Sequence, residues 1–213
     1  MRHIEKTEPP EEFVTFCRTP DVCFDSLGGE PKRALRKRLL EDQGYICCYC
    51  GCRILDDEHT KIEHIKCQDR YGNLSLDFGN MLASCDGGEL DRMNRVRPKH
   101  KCHCDAKKKN EDIPISPLDI RIENLLTYFD DGTVKGTGVG ESLVQTLGLN
   151  VPYLVSRCKN AMLAFKDNPS FDLEEDIRWL KSMHNGKLEE FCFALEQYLS
   201  MLMSNERELA KAI

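Results

Sequence analysis

The sequence predicts an α+β protein, and three observations carry that expectation. Residues 45 to 110 crowd cysteines and histidines into a stretch with room for short elements only. Asn124-Leu-Leu-Thr-Tyr-Phe-Asp-Asp-Gly-Thr-Val reads as two strands around an Asp-Gly turn, and after Gly140 the apolar spacing becomes helical. Composition agrees: 213 residues, 40% apolar and 31% charged, are ordinary for a globular chain. A chain of this length buries roughly 70% of its unfolded surface and needs no disulfides. No run reaches the length of a membrane span, and Met1-Arg-His-Ile-Glu-Lys has no apolar signal core. The expected compartment is the cytoplasm, with no membrane partner.

Three segments follow in order. Residues 1–43 comprise an irregular stretch, punctuated by Pro9-Pro10 and Gly28-Gly29, and then a basic helix. That helix, Pro31-Lys-Arg-Ala-Leu-Arg-Lys-Arg-Leu-Leu, has proline in its first turn and Gly44 as its C-terminal stop. Residues 44–110 form the cysteine-rich part, in which the alternation of Lys61-Ile-Glu-His-Ile predicts a short strand. Residues 111–213 begin with the hairpin and continue as four helices. The first spans Glu141–Leu149, and the second starts at Val151 and runs to about Lys166. The third opens on Asp172 as N-cap and ends at Gly186, and the fourth runs from Lys187 to about Lys211. Gly136-Thr-Gly-Val-Gly-Glu lacks the ending of a phosphate-binding loop and reads as a flexible linker from hairpin to helix.

Eight of the twelve cysteines and four of the six histidines lie between Cys47 and Cys104. With thiols kept reduced, such clustering points to metal rather than disulfides. Cys47 and Cys50 have the spacing by which both thiolates reach one tetrahedral zinc from a tight knuckle. The next ligands would come from Cys85 and from either Cys102 or Cys104, closing a structural site. Cys48 and Cys52 could be decoys. Cys17, Cys23, Cys158 and Cys192 read as small buried hydrophobes.

Net charge is −6, yet the stretch from Arg92 to Lys109 holds eight basic residues against one acid, Asp105. Beside a cysteine cluster, that run is a candidate phosphate-facing surface.

In order along the chain stand Cys47-x-x-Cys50, Glu63-His64, Asn80-(x)4-Cys85 and Cys104-Asp105-x-x-Lys108. This pattern resembles the HNH endonucleases that carry a zinc-bound ββα-metal core. More narrowly, Gln43-Gly-Tyr-Ile-Cys-Cys-Tyr-Cys, Leu82-Ala-Ser-Cys-Asp-Gly-Gly, His103-Cys-Asp-Ala-Lys-Lys and Ser116-Pro-Leu-Asp resemble the HNH subunit of Septu and retron-associated anti-phage systems, the PtuB-like family. Weaker likeness extends to residues 1–6 and to Leu147-Gly-Leu-Asn. The resemblance implies a zinc-bound HNH core at 44–110, flanked by a basic N-terminal helix and a mainly helical C-terminal region that docks on a partner, a PtuA-like ATPase in a hetero-oligomeric complex. It implies structural zinc on Cys47, Cys50, Cys85 and Cys104, and a catalytic Mg²⁺ or Mn²⁺ on Glu63 and Asp105. Many HNH enzymes have histidine where this chain has Asp105, so His103 stands as an alternative ligand. His64 would be the general base and Asn80 its support. Arg95, Arg97, Lys99, Lys101, Lys107 and Lys108 would hold phosphates of the nucleic acid, with DNA favoured over RNA such as tRNA.

Two other readings account for part of the pattern. A non-catalytic zinc-ribbon module binding nucleic acid or protein explains the cysteines but requires neither Glu63-His64 nor Asn80. An adaptor with a decayed HNH site explains Asp105.

Overall fold

The structure, a computed structural model, describes residues 1–94, 101–166 and 172–211. It is mixed α and β, with two small antiparallel sheets among helices. Helix α1 (Glu11–Cys17) falls in the stretch expected to be irregular. Pro10 is its N-cap, Glu11 and Glu12 favour its first turn, and Phe13 anchors it in the core. The prolines that read as punctuation therefore launch a helix. Helix α2 (Gly29–Asp42) is the basic helix, buried along Leu35, Leu39 and Leu40. The chain leaves it through Gly44, whose φ of +59° and contact with Leu188 suit glycine.

Strands β1 (Thr60–His64) and β2 (Met81–Cys85) pair antiparallel, with Glu63 opposite Leu82, His64 opposite Met81 and Thr60 opposite Cys85. Short helices α3 (Glu89–Met93) and α4 (Cys104–Lys108) follow. The second hairpin, β3 (Leu126–Tyr128) and β4 (Val134–Gly136), turns at Gly132 as expected. Its exit is not a flexible linker. A Cβ on Gly136 would lie 2.0 Å from the Gly140 carbonyl carbon, and one on Gly140 would lie 2.4 Å from the Leu125 oxygen. These glycines permit close backbone packing of β4 on helix α5 (Val139–Leu147).

Helix α6 (Pro152–Lys166) lies where the periodicity put it. Helix α7 (Leu173–Leu180) is capped by Asp172, which accepts from the Glu174 and Glu175 amides at 3.0 Å. It stops before Gly186 because His184 and Lys187 bridge across a turn with positive φ at Asn185 and Gly186. Helix α8 (Cys192–Lys211) starts five residues later than its apolar pattern suggests. The Leu188 amide donates to Gly44 O and the Phe191 amide to Gly51 O, so those donors serve the cysteine knuckle rather than a helix. Core residues from the N-terminal, cysteine-rich and C-terminal segments form one hydrophobic cluster. Cys158 and Cys192 belong to it, whereas Cys17 is half-buried and Cys23 exposed, contrary to the sequence reading. No helix among the described residues is long and apolar enough to cross a membrane.

Candidate metal and catalytic centre

The knuckle forms first. The Cys47 amide donates to Cys52 O at 2.8 Å and the Gly51 amide to Cys47 O at 3.0 Å, with Gly51 at φ +76°. Gln43, buried at the end of α2, fastens this turn to β2. Its side-chain amide donates to Ile46 O and Ala83 O, and its oxygen accepts from the Ala83 amide. Cys47 and Cys50 are thereby held beside the end of β2, where Cys85 emerges. Cys104 enters from the first turn of α4 with φ +49°. At Gly87 the chain passes so close to α4 that a Cβ would sit 1.9 Å from His103 O.

The result is a group that could hold a metal ion: the sulfurs of Cys47, Cys50, Cys85 and Cys104 all lie within 4.8 Å of one another. The pairs Cys47–Cys104 and Cys50–Cys85 are each at 3.9 Å. Sulfurs around a tetrahedral zinc, at a Zn–S distance of about 2.3 Å, stand about 3.8 Å apart. Burial opposes ionisation of Cys47, but hydrogen bonds from Cys104, Cys48, Cys50 and Cys85 hold its thiol well below the usual range. Burial first, then its thiol neighbours, push Cys104 well up. Thiols this close share little negative charge unless a cation joins them, and this donor set suits zinc. Cys102 stands apart, in a groove with Lys101, Lys107 and Lys109. His103 Nδ1 lies 3.3 Å from Cys104 Sγ and 3.8 Å from Cys85 Sγ, with the sulfurs.

The end of β1 supplies the second half of the centre. Glu63 and His64 are both buried, at 3% and 6% exposure. Glu63 Oε1 accepts from Tyr49 Oη at 2.8 Å and pairs with Lys108 Nζ at 2.8 Å. Asp105, in the first turn of α4, lies near enough to act electrostatically on the Glu63 carboxyl. Burial and then Asp105 push Glu63 up to about 8, against the opposing pull of Lys108. The close Lys108 contact alone would lower it. The upward direction stands, because one cation does not offset burial together with a second carboxyl.

His64 Nε2 is 3.0 Å from Ser75 O. A carbonyl only accepts, so Nε2 carries the proton and Nδ1 is the basic nitrogen of the neutral ring. Burial lowers the His64 pKa, which keeps the ring neutral near pH 7; Asp105 and Lys108 both act on it electrostatically. The Phe24 ring packs edge-on at 4.5 Å. Asn80 does not bond the imidazole. Its Nδ2 donates to Lys66 O and Leu74 O and its Oδ1 accepts from the Lys66 amide, which clamps the loop that carries Ser75.

The expected phosphate contacts fare differently. Arg95, Arg97 and Lys99 lie outside the described residues. Lys101 and Lys107 are exposed but share the groove near Val151, and Lys107 packs on Gly148 at the end of α5. Lys108 is corrected: at 1% exposure, bound to Glu63 and His64 O, it is no surface cation. Helical spacing explains the split. Lys108, three residues beyond Asp105, shares its face, whereas Lys107 turns away. The sequence reading missed Tyr49, Ser75 and Phe24. Only Tyr49 gave a local signal, an aromatic hydroxyl lodged inside the Cys-x-x-Cys turn.

No protein-family model matches the chain. Three curated proteins are similar to it. The proposed HNH endonuclease of retron Ec83 from Escherichia coli is 30% identical over 130 residues, covering 53% of this chain and 50% of that protein. The Septu protein PtuB of Bacillus thuringiensis is 30% identical over 157 residues, 70% of this chain and 55% of that protein. The proposed HNH endonuclease of retron Vc95 from Vibrio cholerae serotype O1 biovar El Tor is 27% identical over 135 residues, 58% of this chain and 60% of that protein. The chain thus spans about half the length of these relatives.

Proposed function

We propose, with kinship to the HNH endonucleases as the premise, that this chain is a metal-dependent endonuclease hydrolysing phosphodiester bonds, DNA in preference to RNA. One observation carries the reading. A β-hairpin and a short helix set Glu63, His64 and Asp105 together beside four clustered cysteines. That arrangement supports a ββα-metal core with structural zinc on Cys47, Cys50, Cys85 and Cys104.

The carboxyls of Glu63 and Asp105, near enough that Asp105 raises the Glu63 pKa, are oxygen ligands of the kind Mg²⁺ or Mn²⁺ prefers. His103 lies with the sulfurs, which favours Asp105 as the second ligand. A divalent ion there would supply Lewis-acid stabilisation of the phosphate and leaving oxygen. The chain's own residues do the rest. Ser75 O holds Nε2–H so that Nδ1 of His64 can take a proton from the attacking water. Asn80 keeps the Ser75 loop at its distance from the strand. Surface cations such as Lys101 and Lys107 would steer the backbone of the nucleic acid. The relatives are named as retron and Septu proteins, and the proposal extends to action within an anti-phage complex in which the C-terminal helices would dock on an ATPase.

The test combines zinc content with cleavage of plasmid DNA and total RNA in Mn²⁺, the ATPase being supplied. His64→Ala is expected to lose cleavage by about 10²- to 10⁴-fold with zinc retained, and Cys47→Ser to lose zinc and the fold together. Zinc binding without cleavage under any condition would favour the non-catalytic zinc module.

A further inference from the structure

We propose that Tyr49 and Lys108 are positioning residues that fasten one oxygen of Glu63, leaving the other as the ligand of the divalent ion. The inference rests on the reading of Glu63 and Asp105 as ion ligands. Glu63 Oε1 receives the Tyr49 hydroxyl and the Lys108 ammonium, each at 2.8 Å. A carboxylate oxygen offers two lone pairs, so Oε1 is filled and Oε2 remains. Lys108 also donates to His64 O at 3.0 Å. One ammonium therefore grips the side chain of the ion ligand and the main chain of the general base.

Both donors are anchored from elsewhere. Tyr49 is fully buried inside the Cys47–Cys50 turn, so its hydroxyl is placed by the cysteine cluster. Lys108 is 1% exposed on the face of α4 that carries Asp105. Leaving that position to meet a phosphate would strand the buried Glu63 without its cation. The cysteine cluster thus acts beyond folding, because the turn it closes delivers a hydrogen-bond donor to the catalytic carboxylate. Partners of this kind typically set metal affinity within about 10- to 100-fold.

The experiment titrates Mn²⁺ calorimetrically into the zinc-loaded full chain and measures affinity for a DNA duplex without divalent ions. Wild type is expected to take one Mn²⁺ beyond its zinc. Tyr49→Phe keeps the ring and removes only the hydroxyl, and is expected to weaken Mn²⁺ by about tenfold with zinc content unchanged. Lys108→Gln is expected to weaken Mn²⁺ as well, and to leave duplex affinity unmoved. Mn²⁺ affinities within twofold of wild type, tighter Mn²⁺ binding by Lys108→Gln, or a fall in its duplex affinity would each overturn the assignment. Should Tyr49→Phe lose zinc, Lys108→Gln decides, being outside the knuckle; should Lys108→Gln fail to fold, Tyr49→Phe decides. A wild-type chain that takes no Mn²⁺ would instead sink the ligand reading of Glu63 and Asp105, an outcome distinct from unaffected variants.

Discussion

Glu63 is the residue on which burial, pairing and chemistry converge. Its ordinary value of 4.5 is pushed up to about 8 in the folded chain, by burial and then by Asp105. Between those two values the folded state retains a proton that the unfolded chain has lost. The contribution of Glu63 to stability is therefore full below about pH 4.5 and falls as pH rises toward 8. Urea midpoints of the zinc-loaded chain, kept free of other divalent ions, should decline less steeply from pH 5 to 8 in Glu63→Gln than in wild type. Equal slopes would show that Lys108 already compensates the carboxylate. The identity of these groups was legible in the sequence, since Glu63, His64, Asn80, Cys104 and Asp105 stand in a spaced order. Their partners were not. Ser75 reaches His64 through a backbone carbonyl, an atom every residue has, and Phe24 reaches it from forty positions away.

The elements divide according to what terminates them. Where a local signal ends an element, the sequence reading and the structure agree: Gly44 after α2, the Asp-Gly turn between β3 and β4, and Asp172 before α7. Where a distant contact ends one, they differ. The start of α8 is set by hydrogen bonds to Gly44 and Gly51, more than a hundred residues away. The glycines between β4 and α5 are a sharper case, because flexibility and close approach use the same residue. The two readings predict opposite signs. Gly140→Ala in a flexible segment would be neutral or would gain up to about 1 kcal/mol in a helix. Against the Leu125 carbonyl it should cost about 1–3 kcal/mol, read as a lower urea midpoint at constant slope.

Across the whole molecule the C-terminal segment braces the cysteine knuckle. Leu188 and Phe191 bond Gly44 and Gly51, and Arg53 donates to Gly44 O, Tyr45 O and Leu188 O. Truncation before residue 188 is therefore expected to lower zinc retention during dialysis against a chelator, although all four clustered cysteines remain. Retention equal to that of the full chain would make the C-terminal helices independent of the metal site. By itself the sequence determined the helical and strand periods and the types and order of the candidate ligands, because these depend on side-chain chemistry and near neighbours. Tertiary structure alone decided that Cys104 rather than Cys102 joins the cluster, that His103 lies with the sulfurs, and that Lys108 is buried on Glu63. The reason is physical: each of those choices is set by which atoms come within a few ångströms once β1, β2 and α4 pack, and spacing along a chain carries no such distances.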